Sequence, residues 1–258
     1  MARSTFYYHK KCLAASDKYE PEKKAIADIF HKNRGRYGYR RITLELRNRG
    51  YSMNHKTVSK LMLSLGLKCE VRMKRYRSYK GGVGRIAPNM LERNFNAERP
   101  NQKWATDVTE FSIQGTKCYL SPIIDLYNRE VISYNISYRP TLDLVMSMID
   151  DAFVKIPDQT NLILHSDQGW HYQHGNYQLR LKQKGVQQSM SRKGNCLDNA
   201  AIESFFGVLK SELPYLQKFN SIEHFHKELE EYIDYYNNTR IKAHLNGMSP
   251  VKYRTHSI

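Results

Sequence analysis

The chain has 258 residues, 40% hydrophobic and 26% charged, the balance of a globular protein with ample material for a buried core. Its apolar runs fall far short of a membrane span, and MARSTFYYHKK at the start lacks the apolar stretch of a signal peptide, so a cytoplasmic protein with no membrane partner is expected. The net charge of +16 is uneven: residues 1–103 hold 25 Lys and Arg against 8 Asp and Glu, and residues 104–258 hold 16 against 17. So positive a first segment points to a polyanion, nucleic acid first, with a merely solvated basic face as the plainer alternative. Cys12, Cys69, Cys118 and Cys196 are scattered with no CxxC pair, which indicates neither a disulfide framework nor a zinc finger.

Residues 1–20 show little periodicity and read as a lead-in. Residues 21–67 read as three short helices. Pro21 opens the first, with Ile26, Ile29 and Phe30 on one stripe; YRRITLELRNRG offers Ile42, Leu44 and Leu46 before Gly50; Asn54 caps NHKTVSKLMLSLG, whose Val58, Leu61, Met62 and Leu65 face a core. A tight turn before the third helix resembles a helix-turn-helix, an all-α DNA-binding domain that would offer Asn54, His55, Lys56, Thr57 and Lys60 to a major groove. An ordinary three-helix bundle has the same spacing; only the charge favours DNA. Residues 68–100 read as a very basic linker in which tyrosines interleave with cations. Its Lys74, Arg75 and Arg77, with Arg40 and Arg41 upstream, are candidates to lie along phosphates.

Residues 101–215 change character. WATDVTEFSI, KCYLSPIIDLY and EVISYNISY read as strands with turns at Gln114-Gly115 and Asn128-Arg129, followed by a helix at TLDLVMSMIDDAFVKI, a buried strand at LILH, a helix at YQLRLKQKG, a strand at VQQSM and a helix carrying Glu203. That order is a mixed α/β core. Residues 216–258 read as a C-terminal extension, with a long helix, a polar loop and a short SPVKYR tail.

Three acids stand in unusual places. Asp107 lies inside a strand pattern, where an acid is unfavourable. Asp167 follows the apolar run Leu162–Leu164 at the mouth of a buried strand, and 35 residues separate it from Glu203. The Glu203 helix has a capping-box-like start at Asn195 and Asp198 and a buried stripe of Ile202, Phe205, Phe206, Leu209 and Leu213. Glu203 borders that stripe, and Asn199 and Lys210 share its side. A surface Glu is the bland alternative; two strand-associated aspartates beside it suggest a hard-cation site selecting Mg²⁺ or Mn²⁺.

HSDQGWHY, WATDVTEF and SRKGNCLDNAAIESFFGVLKSE together resemble the catalytic core of DDE insertion-sequence transposases, as do YGYRRI at 37–42 and YNNTR with LNGMSP at 236–250. The likeness is greatest to the bacterial family whose transposase comes from two overlapping reading frames, this being similar to the second product. It implies a ribonuclease-H-like core shared with retroviral integrases, two Mg²⁺ or Mn²⁺ ions held by Asp107, Asp167 and Glu203, and strand cleavage followed by strand transfer. It further implies double-stranded DNA partners (terminal inverted repeats and target), a homo-oligomer on paired ends, the upstream-frame product as a further partner, and a place at the bacterial nucleoid. Asp107 would bridge both ions, Lys210 would contact a phosphate near the element's end, and Asn199 would orient Glu203 or the DNA. Asp125 takes a supporting role. Two readings stay open beside it: a ribonuclease-H-like nuclease without transfer, and a DNA-binding regulator, which leaves the acids unexplained. His171 and His174 lack the further ligands of a zinc site, His165 ends a strand, and Trp170 and Tyr172 either stack on a splayed base or bury against the next helix.

Overall fold

The structure, a computed structural model, describes residues 17–69, 86–192, 195–213 and 219–256, together with residues 3, 5 and 7. The chain divides into two compact units, residues 1–71 and 72–258.

In the first unit α1 (Glu20–Lys32), α2 (Tyr39–Asn48) and α3 (His55–Ser64) pack on one another. Pro21 sits in the first turn of α1, and Ile26, Ile29 and Phe30 are its buried stripe, as the spacing predicts. The α2 expectation needs correction: Ile42, Thr43 and Leu46 are buried, while Leu44 is not. Residues two apart lie about 200° apart on a helix, so 42, 44 and 46 cannot share a face. Thr43 is accommodated by its hydroxyl, which donates to the Tyr39 carbonyl at 2.7 Å one turn back. The Asn54 side chain accepts from the Lys56 N–H at 2.8 Å and caps α3, whose Val58, Leu61 and Met62 are buried. Leu65 lies past the helix and is partly exposed, and Gly66 in the left-handed region (φ +68°) ends the run. Arg49 bonds Asp28 at 2.7 Å and ties the end of α2 to α1.

The second unit is a three-layer sandwich. Its sheet comprises β1 (Lys103–Thr106), β2 (Thr109–Ile113), β3 (Thr116–Asp125), β4 (Val131–Ser137), β5 (Ile163–Ser166) and β6 (Gln187–Met190). β2, β3 and β4 form antiparallel pairs, β3 also pairs antiparallel with β1, and β1, β5 and β6 run parallel. This is a mixed sheet of the ribonuclease-H-like kind. Alternate residues feed opposite faces: Trp104, Ile123 and Leu164 meet α4 (Leu142–Phe153), α5 (Trp170–Gln173) and α6 (Gly175–Lys184), while Ala105, Phe111 and Ile124 meet α7 (Ala200–Glu212) and α8 (Ile222–Asn238).

The WATDVTEFSI strand is broken at 107–108, although β1 and β2 both run along β3. The Leu126 N–H donates to the Lys103 carbonyl at 2.9 Å, so alternation turns the backbone of residue 122 toward residue 107. Residue 122 is proline and has no N–H to give. The central ladder therefore loses a bond at the position of an acid.

Three further expectations are corrected. Residues 86–100, grouped with the basic linker on composition, pack on the β6 edge: Pro88 accepts from the Met190 N–H at 3.2 Å, the Met90 N–H donates to Ser189 Oγ at 2.8 Å, and Leu91 is buried. The C-terminal segment is part of the core rather than an extension, because Phe225, Leu229, Tyr232, Ile233 and Tyr236 of α8 are buried against the sheet and α7. The third concerns only detail: within the C-terminal segment, expected to be helical, the SPVKYR tail forms its own short helix, α9 (Pro250–His256). At the outer edge of the sheet, the Asn237 side chain accepts from the Val131 N–H and donates to the Val131 carbonyl, both at 2.9 Å.

The end of α7 is fastened to the segment after α8 by a buried ion pair. Arg240 donates from Nε and Nη2 to Glu212 at 2.8 and 2.7 Å, and the Tyr232 hydroxyl donates to the same carboxylate at 2.9 Å. Arg240→Met leaves that carboxylate buried without its cation and is expected to cost about 3–5 kcal/mol, whereas Glu212→Leu with Arg240→Met recovers much of it. Urea midpoints of this unit's transition at unchanged slope check both values.

Candidate active site

The register of β1 with β5 pairs Lys103 with Ile163, Trp104 with Leu164 and Ala105 with His165. Continued two residues past those pairs, it sets Asp107 beside Asp167. Alternation gives both acids the face of Ala105, the face that α7 covers. On α7, Ile202, Phe205, Phe206 and Leu209 enter that layer, and Glu203 is half-buried at its edge.

Asp107 feels the charges of both other acids. Burial pushes the Asp107 carboxyl well above its usual range, the Asp167 charge adds to this and the Glu203 charge adds less; the Val108 N–H, 2.7 Å from Asp107 Oδ1, and the Lys210 ammonium oppose it. Burial also raises Asp167, against the Gly169 N–H at 2.8 Å and the charge of His171. Among the described residues no three His, Cys, Asp or Glu side chains are gathered into a ready-made metal cluster. Asp107 and Asp167 each hold one oxygen on a neighbouring backbone N–H. The donor chemistry nevertheless fits a hard divalent cation: all three groups are carboxylates, and their mutual repulsion is what such a cation relieves.

Around the acids, Lys210 is exposed with its ammonium 5.4 Å from the centre of the Phe111 ring. Asn199 is buried at the start of α7, and its Oδ1 has no partner among the described residues. Asp198 does not cap the helix. A 3-10 turn over Cys196–Asn199 comes first, and the fully buried Asp198 carboxylate accepts from Arg192, Arg93 and Asn89, so that the Arg192 hydrogen bonds above all hold it below the usual carboxylate range. That cluster was hidden in sequence, since nothing in the spacing links Arg93 to Asp198. Asp125 is buried and accepts from the backbone N–H groups of Asn101 and Tyr127, with Arg254 at 3.5 Å.

His165 is buried against Ser189 at 2.8 Å, and burial lowers its pKa to about 4. His171 bonds the Pro140 carbonyl, and His174 accepts from the Asn176 N–H to cap α6. Tyr172 is buried beside Tyr177, whereas Trp170 is half exposed and stacks on His171. In the first unit Lys56 and Lys60 are exposed, Thr57 is half-buried, His55 stacks on Tyr39, and the Asn54 side chain is engaged by its own helix. Arg40 donates to the Tyr39 hydroxyl at 3.2 Å, and Arg41 lies over the Tyr37 ring. Lys74, Arg75 and Arg77 fall outside the described residues.

Residues 97–196 and 203–258 each match a family described as an integrase core domain, and residues 18–75 match an HTH-like domain. The chain is 56% identical over 252 residues to InsK, the transposase assigned to insertion sequence element IS150 of Escherichia coli (strain K12), covering 98% of this chain and 89% of that one. It is 37% identical over 234 residues to the transposase of insertion sequence element IS904 from Lactococcus lactis subsp. lactis (strain IL1403), with 90% and 92% covered. A structure of the HTLV-2 integrase catalytic core domain in complex with magnesium aligns with 61% of this chain and 98% of its own, at 17% identity and a TM-score of 0.49, too distant for residue-level comparison. The integrase core and helix-turn-helix regions define a DNA-cutting and joining enzyme. The chain belongs to the bacterial insertion-sequence transposases.

Gly169 was not anticipated as a site residue. A Cβ there would stand 2.9 Å from Asp167 Oδ1, although its backbone (φ −58°, ψ 144°) suits any residue. Gly169→Ala is therefore expected to move the Asp167 carboxylate, lowering strand cleavage by about 10²-fold while stability changes by no more than about 1 kcal/mol. Single-turnover cleavage and a urea melt on the same preparation measure the two effects.

Proposed function

We propose that this transposase works by DDE chemistry, using Asp107, Asp167 and Glu203 to hold two Mg²⁺ or Mn²⁺ ions for in-line phosphoryl transfer at element ends. The observation that carries the reading is the β1–β5 register, which aligns Asp107 with Asp167 under the helix bearing Glu203. Asp107, on which both other charges act, would hold the ions together with Asp167 and Glu203. When bound, the divalent cations supply Lewis acidity that activates the attacking oxygen and stabilises the leaving one. The attacking group is water in cleavage and the freed 3′-hydroxyl in transfer, so no covalent bond to the protein forms.

The chain's own residues supply position and charge. The backbone N–H groups of Val108 and Gly169 fix one oxygen of each aspartate and leave the other free to turn to a ligand. Lys210, exposed two turns beyond Glu203, takes a phosphate close to the reacting one. Asn199, buried where the Glu203 helix begins, orients Glu203 or the DNA. Through Lys56, Lys60 and neighbouring residues the helix-turn-helix reads terminal inverted repeats, and a homo-oligomer brings two ends together, with the upstream-frame product as a further partner. The protein then works on the bacterial chromosome, in the nucleoid.

Labelled element ends incubated with Mg²⁺ or Mn²⁺ test this, with Glu203→Gln as the comparison. Cutting and joining are expected in the natural chain, with a fall of about 10³-fold or more in the variant, equivalent to several kcal/mol of charge stabilisation. Equal rates in both would remove Glu203 from the chemistry. Cutting without joined products would make the protein a nuclease.

A further inference from the structure

We propose that Asp198 holds Arg192 and Arg93 as a two-guanidinium clamp for a phosphate of the substrate DNA outside the scissile position. The inference deepens the DDE reading above and rests on it.

The clamp draws on two separated parts of the chain, one carrying Arg93 and the other Arg192 and Asp198. Arg192 Nε and Nη2 lie 2.8 and 2.9 Å from the Asp198 oxygens, and Arg93 Nε lies 2.9 Å from Oδ1. The carboxylate is completely buried, while the arginine side chains are 59% and 45% exposed. One bidentate arginine suffices to neutralise one carboxylate. The second gives the cluster one more cation than its buried carboxylate neutralises, offset in part by the charge of Glu92 acting on Arg192. A guanidinium is rigid, so fixing one edge on Asp198 also fixes the direction of the remaining N–H groups. Among the described residues, Arg192 Nη1 and both Nη atoms of Arg93 have no partner. Outward-facing forked donors of this kind match phosphate oxygens.

The cluster stands at the catalytic end of the sheet. The Ser191 N–H donates to the Ser166 carbonyl at 2.9 Å, and Gln168 Nε2 donates to the Ser191 carbonyl at 3.0 Å, which sets Arg192 alongside the segment holding Asp167. Asp198 lies in the turn that opens the Glu203 helix. DNA lying across the three acids passes both arginines.

The test is binding of the full chain to element-end DNA as a function of salt, for the natural protein, Arg192→Gln, Arg93→Gln and the double variant. Glutamine can still donate to Asp198, so the buried carboxylate keeps a partner. The slope of log affinity against log salt is expected to shrink by about 0.9 for each phosphate left without its arginine, a change that a merely structural role does not produce. A second measurement separates lost contact from lost folding: single methylphosphonates placed along the DNA end should reveal one position where the natural chain loses affinity and the arginine variants lose none, while other positions weaken both alike. Unchanged slopes together with no such position would overturn the clamp and make the cluster a loop brace only. Glu203→Gln cleavage, run in parallel, reports on the DDE reading independently: its loss with unchanged slopes rejects the clamp alone, and its retention rejects the catalytic assignment.

Discussion

Electrostatic repulsion among three partly buried carboxylates is the constraint around which the catalytic unit is arranged. Left to itself, such a group would swing apart or take up protons. Asp107 is the residue under most pressure, desolvated and next to Asp167. Backbone register holds it there, since the residue directly after β1 cannot swing away without carrying its neighbours Ala105 and Thr106 out of two packed layers. The proline opposite Asp107 removes one ladder bond without removing the strand. Glu203 is restrained from farther off, through the apolar stripe of its helix and the ion pair that pins the helix end. The fold thus keeps three carboxylates close together at a cost in stability, the arrangement on which the proposed DDE chemistry rests.

What could be read from sequence divides along physical lines. The α1 and α7 stripes were legible because helical spacing depends only on residues near one another in the chain. Ile202, Phe205, Phe206 and Leu209 are buried as that spacing requires. Asp107 stood out because an acid inside a strand pattern has no local reason to be there; the three acids suggested a hard-cation site by residue type, and a resemblance covering most of the chain supplied their roles. Leu44 failed because alternate spacing was applied to a helix. Residues 86–100 failed because their polar composition reflects local sequence, whereas their role is to satisfy the open edge of β6, a strand a hundred residues away. Asp198 is the clearest case. An acid three residues after an asparagine and just ahead of an apolar run has the look of a cap, and only tertiary structure supplies two arginines strong enough to draw it inward.

Charge is carried differently along the chain. Most of the excess positive charge lies in residues 1–103, a long-range field that attracts a polyanion and carries little directional information. In residues 104–258 Lys and Arg number 16 against 17 Asp and Glu, and several of these cations are held in fixed geometry: Arg240 is inside the core, Arg254 is shared by Asp125 and Glu130, and Lys210 lies over an aromatic ring. The first stretch attracts at a distance, and the second ties its cations to particular neighbours.

The Asn237 amide at the start of β4 has a consequence for assembly. With its carbonyl and its NH₂ it mimics a neighbouring strand at Val131, satisfying the two groups by which an incoming chain would begin a new ladder there. An exposed strand edge is adhesive to any other strand it meets. One side chain from a helix hems that margin at residue 131, and edge-to-edge strand pairing between chains finds no foothold at that corner.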